Sequence, residues 1–372
     1  MTSRQLISAI DVHAAGEAGR VLIDSHLWVK GHDMPSRLQY CRENLNDLRR
    51  LVLQEPRGCP SLLGVMVLPP VNPASDFAIV ILEQDDFAPM SGANLICAVT
   101  ALVETQKVPA TEPGVDLQVD TASGTVRVHA TIQGGRVTQV KIENVPAFVV
   151  ALDHELTLPG FGTVPVDVAF GGQFYVQAPA EALGIDLDPA AADDIIRAAS
   201  VLLEVARKEI EVQHPTQSGL DQIHLPMLYG DSKTPGVHGK NTVVMPQGRP
   251  NLKDPSTWRC GTLDRSPSGT GTSARMAAKH ARGELALNEP FVHESILGTT
   301  FTGTLHGTTR LGDRPAVLPT ISGRGWVTGF HQFVLDSDDP FPTGYTLGDI
   351  WGNGRNPQQG QDETPQLAAG RP

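Results

Sequence analysis

The chain has 372 residues, which is long for a single hydrophobic core, so two domains or an internal duplication are expected. Hydrophobic residues make up 40% of the sequence and charged residues 19%, as in a soluble globular protein. The formal net charge of −12 provides no basic surface for phosphate groups. Nucleic acids and anionic membranes are therefore excluded as expected partners, and a small-molecule substrate is favoured.

The N-terminal segment, residues 1–17, lacks the basic start and apolar core of a signal peptide, and no apolar run reaches the length of a membrane span. We therefore expect a cytoplasmic protein, with a homodimer as an allowed assembly. The cysteines form no Cys-x-x-Cys pair, so neither a metal site nor a disulfide framework is predicted. They are Cys41, Cys59, Cys97 and Cys260.

The first part of the chain is predicted to be rich in strands. Residues 5–30 contain two short apolar runs separated by glycines, which predicts two strands and a turn. Apolar residues then recur at helical spacing over 35–52, which predicts one helix. Two strands around a proline-rich turn are predicted for 64–84, and a β-hairpin for 116–148.

A break at Asn144-Val145-Pro146 precedes a new strand-rich segment, which predicts a domain boundary. We expect a first α/β half over 1–150, completed by a C-terminal strand near 325–340, and a second half over 151–324. After Pro189, an apolar stripe of about five turns predicts a long helix.

Residues 355–372 contain almost no side chains that could be buried, so a disordered tail is predicted there. No functional residue is expected in this segment.

Two segments of the sequence, 89–106 and 266–283, follow the same pattern. Each has a proline near a Ser-Gly pair, then small residues, then an alanine-rich helix, with Ser91 and Ser268 at equivalent places. The duplication suggests two related halves that face each other across a cleft. Two helix N-termini there could hold the carboxylate of a small substrate. The alternative is that each serine only caps its helix.

The segment DRSPSGTGTSARMA, residues 264–277, resembles the DRSPCGTGTSA signature of the proline racemase superfamily. This superfamily includes proline racemases, 4-hydroxyproline 2-epimerases and trans-3-hydroxyproline dehydratases. The resemblance extends over nearly the whole chain. Further similar segments lie at 10–17, 48–58, 143–149, 170–176 and 214–215.

The resemblance implies a mixed α/β fold of two pseudo-symmetric halves, each a curved sheet around a central helix, as in diaminopimelate epimerase. The active site would lie in the cleft between the halves and need no cofactor. In the racemases, two cysteines on opposite faces of the substrate act as acid and base at C2. The matching residues in this chain are Ser91 and Ser268.

The resemblance also assigns the residues that bind the substrate. Backbone amides beside the catalytic pair would hold the carboxylate, and Asp264 would contact the amine. The amide-bearing positions are Gly92, Ala93, Gly269 and Thr270. Ala93 departs from the family pattern, since a histidine is usual at that position, and Cys59 likewise replaces the histidine of an EPRGH motif.

The two serines limit the chemistry that we expect. A thiol ionises near pKa 8.5 in peptides, whereas a hydroxyl is a far weaker acid and needs a neighbouring base. Racemisation requires two matched groups, but dehydration of a 3-hydroxyproline requires one base. Dehydration of trans-3-hydroxy-L-proline to a pyrroline-2-carboxylate is therefore the leading interpretation. Proline racemase or 4-hydroxyproline 2-epimerase activity is the alternative, and a catalytically weak protein that binds a proline-like ligand is the second alternative.

Other polar residues are assigned structural roles. Cys97 is expected to be a core thiol, and Cys260 is left unassigned. Arg57 and Arg265 are expected to join loops through carboxylates. Three histidines could approach the cleft, but structural hydrogen bonding is the favoured explanation for His13, His214 and His224.

Overall fold

The computed structural model describes residues 5–24, 28–336, 338–348 and 350–351. The predicted disordered tail lies outside the described residues. Within them the chain is an α+β protein in which strands predominate. No helix of the described part is both long enough and apolar enough to cross a lipid bilayer.

The first series of elements contains seven of the eight strands of one curved sheet, a short extra strand and three helices. They are β1 (Gln5–Ala14), β2 (Glu17–Leu22), α1 (Met34–Asn44), α2 (Asn46–Leu53), β3 (Leu63–Leu68), β4 (Phe77–Leu82), β5 (Phe87–Ala88), α3 (Gly92–Glu104), β6 (Gly114–Thr121), β7 (Gly124–Gln133) and β8 (Arg136–Glu143).

The second series supplies all eight strands of the other half and one short extra strand. The last strand of the chain pairs with β1 of the first series. The elements are β9 (Phe148–Leu158), β10 (Gly162–Phe170), β11 (Phe174–Pro179), α4 (Ala192–Glu209), β12 (Ile223–Gly230), β13 (Gly239–Pro246), β14 (Gly261–Leu263), α5 (Gly269–Ala281), β15 (Pro290–Glu294), β16 (Thr300–Leu311), β17 (Arg314–Gly323) and β18 (Gly325–Leu335).

Strand pairing shows that the two series repeat one topology. The first runs β18-β1-β2-β3-β4-β6-β7-β8, and the second runs β9-β10-β11-β12-β13-β15-β16-β17. The parallel pairs fall at equivalent places, β2–β3 with β11–β12 and β4–β6 with β13–β15. An antiparallel pair, β8–β17, joins the two series. This arrangement confirms the predicted fold of two pseudo-symmetric halves.

Each half encloses one central helix. Helix α3 contacts β1, β2, β3, β8 and β18, and α5 contacts β9, β10, β11, β16 and β17. The first twelve residues of α3 and the first ten of α5 are all buried. A helix without an exposed face needs small or apolar residues all round, which explains the alanine, glycine, serine and threonine content of both segments.

Most of the predicted elements are confirmed, and one is wrong. The strand pairs at β1–β2 and β3–β4, the β7–β8 hairpin and the long helix α4 all occur. The single helix expected over 35–52 is instead two helices, α1 and α2. Leu45 adopts φ −116° and ψ 17°, and its N–H donates to the Cys41 carbonyl to end α1. Asn44 and Asn46, which are weak helix formers, flank the break.

The two central helices meet end to end at glycines. A Cβ added to Gly92 would lie 2.9 Å from the Gly269 Cα, and a Cβ added to Gly269 would lie 2.9 Å from the Gly92 Cα. Real Cβ atoms do not approach backbone that closely. The N-termini of α3 and α5 are therefore in direct backbone contact, and both positions require glycine.

Substitution of Gly92 by alanine tests this contact. Because the new methyl group must displace the backbone of α5, we expect Gly92→Ala to lower the free energy of unfolding by about 1–3 kcal/mol, measured by urea denaturation. Gly307→Ala is the matched control, since its Cβ would meet nothing nearer than Leu318 Cδ1 at 3.8 Å. Equal losses in the two variants would show that the helix ends tolerate separation.

Candidate active site

Both serines of the repeated pattern cap a central helix. The Ser91 Oγ accepts a hydrogen bond from the Asn94 backbone N–H at 3.3 Å and from Asn94 Nδ2 at 3.2 Å. The Ser268 Oγ accepts one from the Gly271 N–H at 3.3 Å. Both serines are thus helix caps, which leaves open their roles in the chemistry of the site. Capping also fixes each hydroxyl at the mouth of its helix, beside the backbone contact between α3 and α5.

Ser268 has a strained backbone. Its φ of +60° lies in the left-handed region that non-glycine residues rarely adopt. Neighbouring polar groups hold it there, since the Ser268 N–H donates to Ser266 Oγ at 3.1 Å. The preceding Pro267 carbonyl accepts from Asn241 Nδ2 and Thr272 Oγ1, each at 3.0 Å. Strain of this kind costs about 1–3 kcal/mol and is concentrated at functional sites.

The first turns of α3 and α5 form a convergent set of hydrogen-bond donors. Neither first turn contains an acidic side chain. In the described part of the chain, the first two N–H groups of each helix make no hydrogen bond. Two positive dipole ends therefore point at one place, an arrangement that can bind an anion such as a carboxylate. The groups belong to Gly92, Ala93, Gly269 and Thr270.

Two buried carboxyl groups lie next to this anion site. The Glu17 carboxylate accepts from the Arg265 N–H at 2.6 Å, and Asp264 Oδ1 accepts from the Ser266 N–H at 2.7 Å. Burial raises the pKa of Glu17 well above its usual value, and the charge of Asp264 raises it further. Burial also raises the pKa of Asp264. The two groups hydrogen-bond each other, and the raised pKa of Glu17 favours its protonated form, so the pair carries less negative charge than two free carboxylates would.

A third buried carboxyl, Glu83, connects the two halves. Gln173 Nε2 donates to Glu83 Oε1 at 3.2 Å and to the Met90 carbonyl at 2.7 Å, immediately before Ser91. Burial raises the pKa of Glu83 to about 8, with further increases from nearby acidic groups that include Asp264. Glu83 is therefore largely protonated at neutral pH.

Tyr175 of β11 contacts the second helix cap. Its Oη lies 3.3 Å from Ser268 Oγ and 2.7 Å from Thr270 Oγ1. Burial raises the pKa of Tyr175, although the two hydroxyl contacts lower it. Its phenol is therefore protonated at neutral pH and has two hydroxyl oxygens within reach.

Sequence reasoning assigned no function to four residues that surround this site. Glu17 and Tyr175 lie inside the segments HAAGE and GGQFYV that carried the family resemblance, so a signal was present for them. Gln173 lies in the same segment as Tyr175, whereas Glu83 gave no signal, because it follows its strand as an ordinary polar residue. Only the folded chain brings these last two together.

The three candidate histidines lie outside the site. The His13 ring stacks on Trp326 with centroids 4.9 Å apart. His214 Nδ1 accepts from the N–H groups of Thr216 and Gln217. His224 is buried, and burial lowers its pKa to about 4. None of the three makes a hydrogen bond to Ser91 or Ser268 among the described residues, which agrees with the structural roles that were favoured.

The structure also shows the surroundings of the cysteines. Cys97 and Cys260 are buried and donate to the backbone carbonyls of Val12 and Thr257. Cys59 is exposed.

Arg57 pairs with the Asp339 carboxylate, as expected. The expectation for Arg265 is wrong, because its guanidinium donates to the Leu263 carbonyl. Its backbone N–H contacts Glu17 instead.

Comparison with known proteins defines the family. The family model described as proline racemase matches residues 9–346. The chain belongs to the proline racemase family. It is 38% identical to the proline racemase of Clostridioides difficile over 341 residues, which covers 92% of this chain and 98% of that protein. It is 36% identical to the 4-hydroxyproline 2-epimerase of Streptosporangium roseum over 350 residues, covering 93% and 100%.

Solved structures give the same result for the fold. A hydroxyproline epimerase from Agrobacterium vitis, with bound trans-4-hydroxy-L-proline, matches with a TM-score of 0.87 and 32% identity over 95% of this chain and 99% of that one. A PhzF-family phenazine biosynthesis protein from Bacillus anthracis matches with a TM-score of 0.55 and 11% identity, over 88% and 99%. This second likeness concerns the fold alone.

The buried Glu83 predicts a pH-dependent loss of stability. Its folded pKa lies above the unfolded value of about 4.3, so the folded chain binds the proton more tightly and loses stability as pH rises from about 4 to 8. We expect the stability of Glu83→Gln to increase relative to the unsubstituted protein over this range, by at most about 1.4 kcal/mol per pH unit. Urea denaturation at pH 5, 6.5 and 8 measures this difference.

Glu155→Gln, which removes an exposed carboxyl from β9, is the matched control. A difference between Glu83→Gln and the unsubstituted protein that stays constant with pH would contradict the burial argument.

Proposed function

We propose that this protein inverts C2 of proline or a hydroxyproline without a cofactor. One observation carries the proposal: two capped helix N-termini meet in direct backbone contact, and each carries a serine hydroxyl at its mouth. Similarity to a proline racemase and to 4-hydroxyproline 2-epimerases supports inversion over other reactions at C2. It therefore favours the alternative considered in the sequence over dehydration.

The polar groups of the cleft match a zwitterionic amino acid. The substrate carboxylate would bind the free N–H groups of Gly92 and Gly269 and their neighbours. The pair of Glu17 and Asp264 would bind the ammonium group. A substrate held at both ends in this way exposes the two faces of C2 to the two helix caps.

Helix termini also supply the main electrostatic contribution to catalysis. Loss of the C2 proton moves negative charge onto the substrate carboxylate, which becomes a dianionic enediolate. The N–H groups and dipoles of α3 and α5 already point at those oxygens and need no reorganisation. In this scheme one serine, as its alkoxide, takes the C2 proton and becomes a hydroxyl, while the other, on the opposite face, gives its hydroxyl proton to C2 and becomes the alkoxide. The product is the C2 epimer.

Dehydration of trans-3-hydroxy-L-proline is a second candidate. The observation that favours it is the protonated, buried phenol of Tyr175 on the Ser268 side, which could assist the departure of hydroxide. This reaction needs one base at C2 and no matched second group. It also suits a site in which neither capping residue is a thiol.

Proton exchange in D2O tests the proposal. We expect the protein to introduce deuterium at C2 of L-proline or trans-4-hydroxy-L-proline and to form the epimer, as followed by NMR and optical rotation. Formation of a pyrroline from trans-3-hydroxy-L-proline without inversion of either other substrate would support the second candidate. If none of the three substrates exchanges or reacts, both enzymatic proposals are wrong.

Serine-to-cysteine substitution tests the assignment of the two faces. A thiol has a pKa of about 8.5, whereas an aliphatic hydroxyl ionises far above neutral pH. We therefore expect Ser268→Cys to raise the exchange rate by on the order of 10²-fold. We expect Ser268→Ala to abolish inversion while costing only about 1 kcal/mol as a lost helix cap. Ser273→Cys, one turn further along α5, is the control thiol. Equal gains from both cysteines would remove Ser268 from the mechanism.

A further inference from the structure

The two helix caps differ in the group that supports each hydroxyl. On the α3 side, Ser91 Oγ is contacted by two N–H groups of Asn94, one from the backbone and one from the side chain. On the α5 side, the equivalent third residue after the cap is Gly271, which supplies only its backbone N–H. The second support for Ser268 Oγ comes from another strand, as the phenol of Tyr175.

This difference has a chemical consequence. An amide N–H can stabilise negative charge on Ser91 but cannot give up its proton near neutral pH. A phenol is a stronger acid than an aliphatic hydroxyl and can both donate and recover a proton. The α5 cap is therefore the one that has a proton partner.

Position 271 of α5, beside the Ser268 hydroxyl, has no room for a side chain. A Cβ at position 271 would lie 2.7 Å from Ser268 Oγ and 2.6 Å from Met227 Cε. Glycine at this position leaves Ser268 Oγ accessible to Tyr175. The phenol itself is only 1% exposed, so its hydrogen bonds are made to protein groups or to the contents of the cleft.

We propose that Tyr175 is the positioning residue through which Ser268 exchanges its proton. The inference rests on the proposed inversion at C2. When Ser268 protonates C2, its O–H bond breaks and a C2–H bond forms, while the Tyr175 O–H bond breaks and a new Ser268 O–H bond forms. The negative charge passes from the substrate to the Tyr175 oxygen. Removal of a C2 proton by Ser268 is the same sequence in reverse.

Thr270 completes the arrangement. Its Oγ1 lies 2.7 Å from Tyr175 Oη and can donate a hydrogen bond to the phenolate that the transfer produces. This donor offsets the nearby charge of Asp264, which opposes ionisation of the phenol. Among the residues that the structure describes, only Asn94 hydrogen-bonds to Ser91 Oγ, so we expect the two faces to respond differently to loss of the phenol oxygen.

Tyr175→Phe tests the proposal through the ratio of exchange between stereoisomers. Each C2 stereoisomer of the inverted substrate is incubated separately in D2O, and deuterium uptake and inversion are measured by NMR. We expect inversion to fall by about 10²-fold or more in both directions. We expect deuterium exchange to be lost from the stereoisomer whose C2 proton faces Ser268. Exchange should be retained in the stereoisomer whose C2 proton faces Ser91. A purely structural role would lower exchange from both alike, and that result would overturn the proposal.

Two further variants make the test independent of folding defects. Tyr229→Phe is the matched control, because the Tyr229 ring packs under Arg275 and has no hydrogen bond to either serine among the described residues. This variant should leave both exchange rates as they are in the unsubstituted protein. Thr270→Val should bias exchange in the same direction as Tyr175→Phe. The same bias in Tyr229→Phe, or none in Thr270→Val and Tyr175→Phe, would overturn the proposal.

Cysteine at position 268 separates this inference from the proposed function. A thiolate forms without help from a phenol, so in Ser268→Cys we expect Tyr175→Phe to change exchange by less than about 3-fold. An effect as large as in the serine background would show a structural role. If the unsubstituted protein exchanges neither stereoisomer, the proposed function itself is wrong and the relay is wrong with it. If it exchanges both but Tyr175→Phe causes no bias, only the relay is wrong.

Discussion

The backbone contact between Gly92 and Gly269 is the constraint on which the site depends. Two helices that are buried within separate curved sheets meet there without any intervening side chain. Among the described residues, each brings two N–H groups without a hydrogen bond, and a positive dipole end, to the same small volume. Such a concentration of positive charge is unfavourable in a protein interior unless an anion fills it. The proposed carboxylate site therefore follows from the backbone alone, before any side-chain chemistry is considered.

Buried acidic groups balance this arrangement on the other side of the cleft. Glu17, Asp264 and Glu83 all have raised pKa values, mainly because burial disfavours their charged forms. Full ionisation of all three would place several negative charges together in a low dielectric. Protonation of part of this set relieves that repulsion. Under the proposed function, the N–H donors and the shared carboxyl groups bind the two ends of a small zwitterion.

The sequence predicts the fold well because its main signals are local or repeated. Strand alternation in β7 and β8, the apolar stripe of α4 and the duplicated Ser-Gly helix starts are each readable within about twenty residues. The break between α1 and α2 at Leu45 cannot be predicted in this way, because the helical spacing of apolar residues continues through it. Only the backbone angles of one residue end α1, and two short helices bury the same stripe as one long helix.

The site could be predicted only in part for a related reason. Ser91 and Ser268 stand at duplicated positions, and the family signature includes Asp264. Gln173 and Glu83 are 90 residues apart and lie in different halves, so no local pattern connects them. Tyr175 occupies a strand position where an aromatic residue is ordinary core material, and its function depends on two hydroxyl groups more than ninety residues later. Long-range polar contacts of this kind are determined by the tertiary fold.

The most direct measurement of the central claim is a crystal structure with pyrrole-2-carboxylate, a planar ring that resembles the planar C2 of the transition state. We predict that its carboxylate will accept hydrogen bonds from the N–H groups of Gly92 and Gly269. The ring plane should lie between Ser91 Oγ and Ser268 Oγ, with each oxygen about 3–3.5 Å from C2 on opposite faces. A ring bound elsewhere, or one with both serines on the same face, would contradict two-sided chemistry at this cleft.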